Sequence, residues 1–200
     1  METTDYHRIV LEIEEDVCTR FSPLFSKGVG IKARTGCSME DFICGQLGVP
    51  QTYLEERLQT IFLNGKPVDD YRTAKIGDGA LLALSAAMPG LVGAIMRRGG
   101  YFAGLRESIT HKADSDEVCT MEGLVTVKLF NLTVRELGPV LLKHGILVEA
   151  DDLLDVFTRF ADSFRKGCRV VRFDGDPIDS NALVERLEKK DRIVLQVEII

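Results

Sequence analysis

The chain has 200 residues, 45% hydrophobic and 28% charged, so it carries enough apolar side chains to fill a core along its whole length and lies outside the range of disordered chains. Its formal charge of −6 opposes the basic face that nonspecific nucleic-acid binding requires. The polar start at Met1 to Arg8 lacks a signal-peptide pattern, Ala80 to Ala94 is too short and glycine-rich to span a bilayer, and Cys18, Cys37, Cys44, Cys119 and Cys168 are scattered without metal-ligand spacing, which together predict a cytoplasmic chain with reduced thiols, no membrane span and no metal site.

In chain order, Ile9, Leu11 and Ile13 alternate with Val10, Glu12 and Glu14, which predicts a strand with one buried face. Phe21 to Gly28 supplies Pro and Gly ahead of Val29 to Arg34, a second strand expected to pair back on the first. Ser38 caps a helix over Met39 to Leu47, where Met39, Phe42, Ile43 and Leu47 share a face, and Gly48 and Pro50 end it. Leu58 to Leu63 is an apolar strand, Asn64-Gly65 is a tight turn, and Ala80 to Leu84 is the last strand of this passage.

A second passage repeats the plan at an offset of about 110 residues. Asn64 to Asp69 is echoed by Asp174 to Asp179, and Asp41-Phe42-Ile43 by Asp152-Leu153-Leu154. Val125, Val127 and Leu129 alternate along its first strand, and pairing resumes at Gly145 to Val148 after Pro139. Leu153, Val156, Phe157 and Phe160 form a helical stripe, and Arg169 to Phe173 and Ile193 to Ile199 are strands.

The passage carrying Thr35-Gly36-Cys37-Ser38, Ile61 to Val68 and Ile76 to Leu84 resembles the ubiquitin-like sulfur-carrier proteins, the small subunit of molybdopterin synthase and the thiamine-pathway sulfur carrier. The resemblance spans residues 7 to 90 and is weaker over the second copy. It implies an α+β fold of two tandem ubiquitin-like β-grasp units, with mixed sheets each packed on a helix: residues 1–90, a connector at 91–120, and residues 121–200. In that family the chemistry resides in a free C-terminal Gly-Gly end. Here the fourth strand runs on through Ser85-Ala86-Ala87-Met88 to Pro89-Gly90, the chain continues beyond it for more than half its length, and the C-terminus is Glu198-Ile199-Ile200.

The connector Pro89 to Arg106 holds the candidate site. Arg98-Gly99-Gly100 is similar to the tail of ubiquitin-like modifiers, so cleavage after Gly90 or Gly100 would expose a carrier end. Alternatively, Arg97, Arg98 and Arg106 with the backbone N–H groups of Gly99 and Gly100 form an anion or acidic-partner site, or the small residues let backbone pack closely between the two units. Leu91, Val92, Ile95 and Met96 can form a short helix against a neighbouring subunit, giving a homo-oligomer. Cys37, although near a helix N-terminus, has no base beside it in sequence and reads as a structural thiol; Asp69-Asp70 and Glu14-Glu15-Asp16 read as solvated charges. No catalytic constellation or cofactor motif is present, and the leading expectation is a non-enzymatic protein-interaction module of β-grasp type. A sulfur carrier activated by proteolysis and a regulatory anion or metabolite-binding module are the alternatives.

Overall fold

The computed structural model describes residues 6–112, 121–188 and 190–200; the expectations for Met1 to Asp5, for Cys119 and for the end of the connector lie outside them. The alternation at Ile9, Leu11 and Ile13 forms β1 (His7–Ile13), with all three side chains buried on one face and Arg8, Val10 and Glu12 on the other. The chain does not then turn straight back. Val17, Phe21, Leu24 and Phe25 recur at helical spacing and bury one face of α1 (Glu15–Cys18), a 3-10 turn (Thr19–Phe21) and α2 (Ser22–Lys27). Pro23 sits in the first turn of α2, where no intrahelical bond needs its missing N–H. The expected hairpin is therefore a helical crossover, and β2 (Val29–Thr35) lies away from β1.

Ser38 caps the next helix as its sequence predicts, its Oγ accepting the Asp41 N–H at 3.1 Å. The helix widens into a π turn (Asp41–Gln46), in which the Leu47 N–H reaches the Phe42 carbonyl at 3.0 Å and Met39, Phe42, Ile43 and Leu47 all remain in the core. α3 (Gln51–Glu56) follows Pro50 and leads to β3 (Thr60–Leu63), the Asn64-Gly65 turn, β4 (Lys66–Pro67) and β5 (Leu81–Ser85). The described connector comprises α4 (Gly90–Met96) and a 3-10 segment (Ala103–Ile109), ahead of β6 (Met121–Phe130).

Pro139 does not interrupt the chain. α5 (Leu132–His144) runs through it, because Thr133, Leu137, Leu141 and Leu142 supply a buried stripe that outweighs the lost backbone bond. Gly138 brings this helix against α2: a Cβ there would stand 2.9 Å from the Phe25 ring. The remaining elements are β7 (Ile146–Glu149), α6 (Ala150–Arg159), α7 (Ala161–Gly167), β8 (Cys168–Phe173), β9 (Asp176–Pro177), α8 (Ser180–Leu187) and β10 (Arg192–Ile199).

The strands form one continuous mixed sheet, ordered β4-β3-β5-β6-β2-β7-β10-β1-β8-β9, in place of the two sheets expected. The reason lies in the two crossovers, which are long enough to carry the chain past intervening strands. β6 sits between β5, to which it is parallel, and β2, to which it is antiparallel. β1 sits between β10, to which it is parallel, and β8, to which it is antiparallel. The opening strand of each passage thus completes the half-sheet built by the other. The halves meet between β2 and β7 at one paired position, Gly30 with Leu147.

From each edge to this seam the pairing senses repeat in the same order: antiparallel, antiparallel, parallel, antiparallel. Local bonds recur as well. Asn64 N–H donates to Leu81 O and its Oδ1 accepts the Leu81 N–H, both at 2.8 Å; Asp174 makes the same pair with Arg8, both at 2.8 Å. The Val68 N–H to Ile61 O bond is matched by Ile178 N–H to Val171 O, each at 2.9 Å.

One face of the sheet is covered: Ile9, Leu195, Ile146, Ile31, Val125 and Leu84 belong to a core shared with α2, α5 and α6. The opposite face carries Arg8, Glu12, Lys32, Lys128 and Gln196. Both edge strands are two residues long and end in proline, Pro67 and Pro177, which removes donors from the edges.

Candidate functional site

The connector packs on the outer part of one half-sheet, against α3 and beside β4, and not between the two passages as expected. Arg106 makes this attachment. Its side chain is 1% exposed, and its guanidinium grips the Asp69 carboxylate through Nη1 at 2.9 Å and Nη2 at 2.7 Å. Its Nε–H donates to the Ile95 carbonyl at 2.8 Å, and further bonds reach Thr110 Oγ1 and Arg97 O. Asp69 is accordingly not a solvated turn charge: it neutralises a buried guanidinium, and it also accepts the Gly99 N–H at 3.4 Å.

Arg98 is likewise held by the protein. Nη2 donates to the Leu54 and Glu55 carbonyls at the end of α3, both at 2.9 Å, where a cation complements the helix dipole, and the guanidinium lies 4.6 Å from the Tyr71 ring. Gly99 has φ of 61°, the left-handed conformation that favours glycine, and the Gly100 N–H closes the turn on Arg97 O. The structure brings Arg97, Arg98, Gly99, Gly100 and Arg106 together near Asp69, with Arg97 the exposed arginine of the three. Gly90 begins α4 with φ of 75°, and the Gly100 carbonyl accepts the Ala103 N–H, so neither glycine stands in an extended tail.

Exposed apolar side chains concentrate on this segment. Leu91, Val92, Tyr101, Phe102, Leu105 and Ile109 make up six of the eleven exposed large hydrophobic residues described, with Tyr101 at 95%. Leu91 and Val92 are thus on the outer side of the short helix expected there, while Gly93 is buried against the Met88 backbone.

Cys37 lies at the start of the π-turn helix, but its surroundings work against a thiolate. Burial and the nearby Asp41 carboxylate raise its pKa, while its Sγ donates to Arg34 O and accepts from Gln46 Nε2. Burial also raises the pKa values of Cys44 and Cys168 and lifts Cys18 to about 11.

A second feature escapes linear reading: a cleft of about 760 Å³ on the open face above the seam. His7 and Arg8 of β1, Lys32 of β2, His144 at the end of α5 and Asp174 of the β8–β9 turn converge on it from four distant stretches of chain. Asp174 Oδ2 lies 2.7 Å from His7 Nδ1 and its Oδ1 accepts the Arg8 N–H; Lys190 Nζ stands 2.8 Å from His7 Nε2. With Asp174 ionised, this array places the imidazole proton on Nδ1 and leaves Nε2 to accept from the lysine. The Arg8 N–H, followed by His7, holds the Asp174 carboxyl below its ordinary range. The outward alternation of Arg8 and Lys32 was the only signal in the sequence, and it reads the same for any solvated strand face.

No family model matches the chain, and neither a curated protein nor a solved structure shows significant similarity to it.

Proposed function

We propose that the chain is a non-enzymatic protein-interaction module of β-grasp type, in which each of two ubiquitin-like units takes in the opening strand of the other passage, β6 beside β2 in one half and β1 in the other half at the place that β5 holds in the first, and the connector carries the docking surface. The recurring pairing order and the matched turn bonds at Asn64 and Asp174 support the two-unit reading. In this reading Gly99-Gly100 is an internal turn that shapes the surface, and kinship with sulfur carriers is one of fold without the carrier end.

The observation that carries the proposal is the concentration of exposed apolar side chains on the connector, Leu91, Val92, Tyr101, Phe102, Leu105 and Ile109, with the segment tied down by the Arg106–Asp69 clamp. Short, proline-ended edge strands disfavour docking by strand addition. The occupant is a different protein that lays apolar side chains on these residues and sets a carboxylate against the exposed Arg97. A second copy is disfavoured, because each chain carries a formal charge of −6 and two copies repel.

A photo-reactive amino acid at position 101, introduced in living cells, tests this. The expected result is a discrete adduct with a partner of different mass, abolished by Leu91→Ser with Leu105→Ser while the unfolding midpoint stays unchanged. The same label in place of the exposed Glu185 should give no such adduct. Equal labelling from positions 101 and 185, or an adduct with the mass of two chains of 22.2 kDa, overturns the assignment.

A further inference from the structure

We propose that the open-face cleft above the β2–β7 seam is a binding site for a small phosphate-bearing metabolite, whose phosphate is held by Arg8 and Lys32. The cleft's size, about 760 Å³, falls within the range of small-molecule sites. Its floor is low at the seam because Gly30 has no side chain; a Cβ there would stand 3.1 Å from both Leu124 Cδ1 and Leu147 Cβ. Gly30, Leu147 and Val194 therefore offer a shallow floor of backbone and apolar side chain for the body of a ligand.

The charge balance sets the ligand class. In a chain of net charge −6, this cleft gathers Arg8 and Lys32, with His144 as a further nitrogen group. Among the described residues, the Arg8 guanidinium is held by the neutral Gln196 amide at 2.6 Å and the Lys32 ammonium stands 4.9 Å from the Tyr6 ring, so neither charge is neutralised by a carboxylate. Asp174 is the one carboxylate among the lining residues, and both of its oxygens are engaged, by the Arg8 N–H and by His7. Two cations match a phosphate dianion better than a monocarboxylate. A single concave site with two such cations is too small for the run of phosphates on which nucleic-acid binding depends.

Comparison of the matched turns points the same way. Where Asp174 bonds Arg8, the other half has the neutral Asn64 bonded to the apolar Leu81, and the residue before Leu81 is the buried Ala80 where the other half has His7. The turn geometry needs only an oxygen acceptor. The Asp174 charge, the Arg8 cation and the imidazole beside them are found at this turn and not at its counterpart.

The test is calorimetric titration of the intact chain with inorganic pyrophosphate, at an ionic strength held constant with sodium chloride. Saturable one-to-one binding is expected. Arg8→Gln and Lys32→Ala should each weaken it by about tenfold or more. Arg165→Ala, on the exposed surface of α7, should leave it unchanged. Both cleft side chains lie outside the core, so circular dichroism should show these variants folded. Absence of saturable binding, or equal weakening by Arg165→Ala, overturns the site.

Discussion

Asn64 and Asp174 hold their turns with the same pair of backbone bonds and similar positive φ angles of 50° and 51°, yet only Asp174 carries a charge. Its folded pKa lies below the ordinary value because the Arg8 N–H, then His7, favours the ionised form. Such a group adds stability that is fully present above its unfolded pKa and is lost as pH falls through the folded pKa. Asp174→Asn keeps the acceptor for Arg8 and removes the charge. Its urea midpoint should therefore fall below that of the wild type at neutral pH, with the gap closing as pH drops below the ordinary carboxylate value of about 3.9. A gap that is constant through this range would mean that ionisation of Asp174 is uncoupled from folding. The turn itself was legible from Asp-Gly; its partner His7 was not, because only the sheet register brings β1 beside it.

At the scale of elements, the connector holds an arginine, Arg106, whose carboxylate partner lies in the same chain. Arginine beside glycine suggested an external anion, and the anion proves to be Asp69 of the same chain. Its position in the turn after β4 gives no hint of a partner in the 3-10 segment. Removing Asp69 leaves a buried guanidinium without its counter-charge, whereas removing Arg106 leaves a carboxylate that is 39% exposed and can be hydrated. Arg106→Met should cost about 1–3 kcal/mol in urea unfolding, and Asp69→Ala should cost more. An equal or smaller loss for Asp69→Ala would show that the clamp contributes through packing and not through charge. The missed helices have a common cause: α2 and α5 contain Pro23 and Pro139, one harmless in a first turn and the other outweighed by the buried stripe around it.

Over the whole molecule, the placement of β6 between β5 and β2 and of β1 between β10 and β8 makes the halves mutually dependent. A chain ending at residue 90 lacks β6, leaving β5 and β2 without their shared neighbour, and its β1 lacks both β10 and β8. The full chain should unfold in urea as one transition, coincident by far-UV circular dichroism and by tyrosine fluorescence, since the chain has no Trp. Residues 1–90 expressed alone should show no cooperative transition. Cooperative unfolding of that fragment, or two separated transitions in the full chain, would contradict the interdependence of the halves.

Sequence alone determined what depends on neighbours along the chain: the alternation of β1 and β6, the Asn-Gly and Asp-Gly turns and the Ser38 cap. Those features follow from backbone sterics and local burial period, which a short window of residues contains. Tertiary structure decided which strand lies beside which, and hence that there is one sheet, that Arg106 meets Asp69, and that Arg8, Lys32, His144 and Asp174 share a cleft. An amphipathic strand can satisfy its backbone and bury its apolar face beside several possible partners. The choice among them rests on the packing of crossover helices over the entire core, a sum that no local segment encodes.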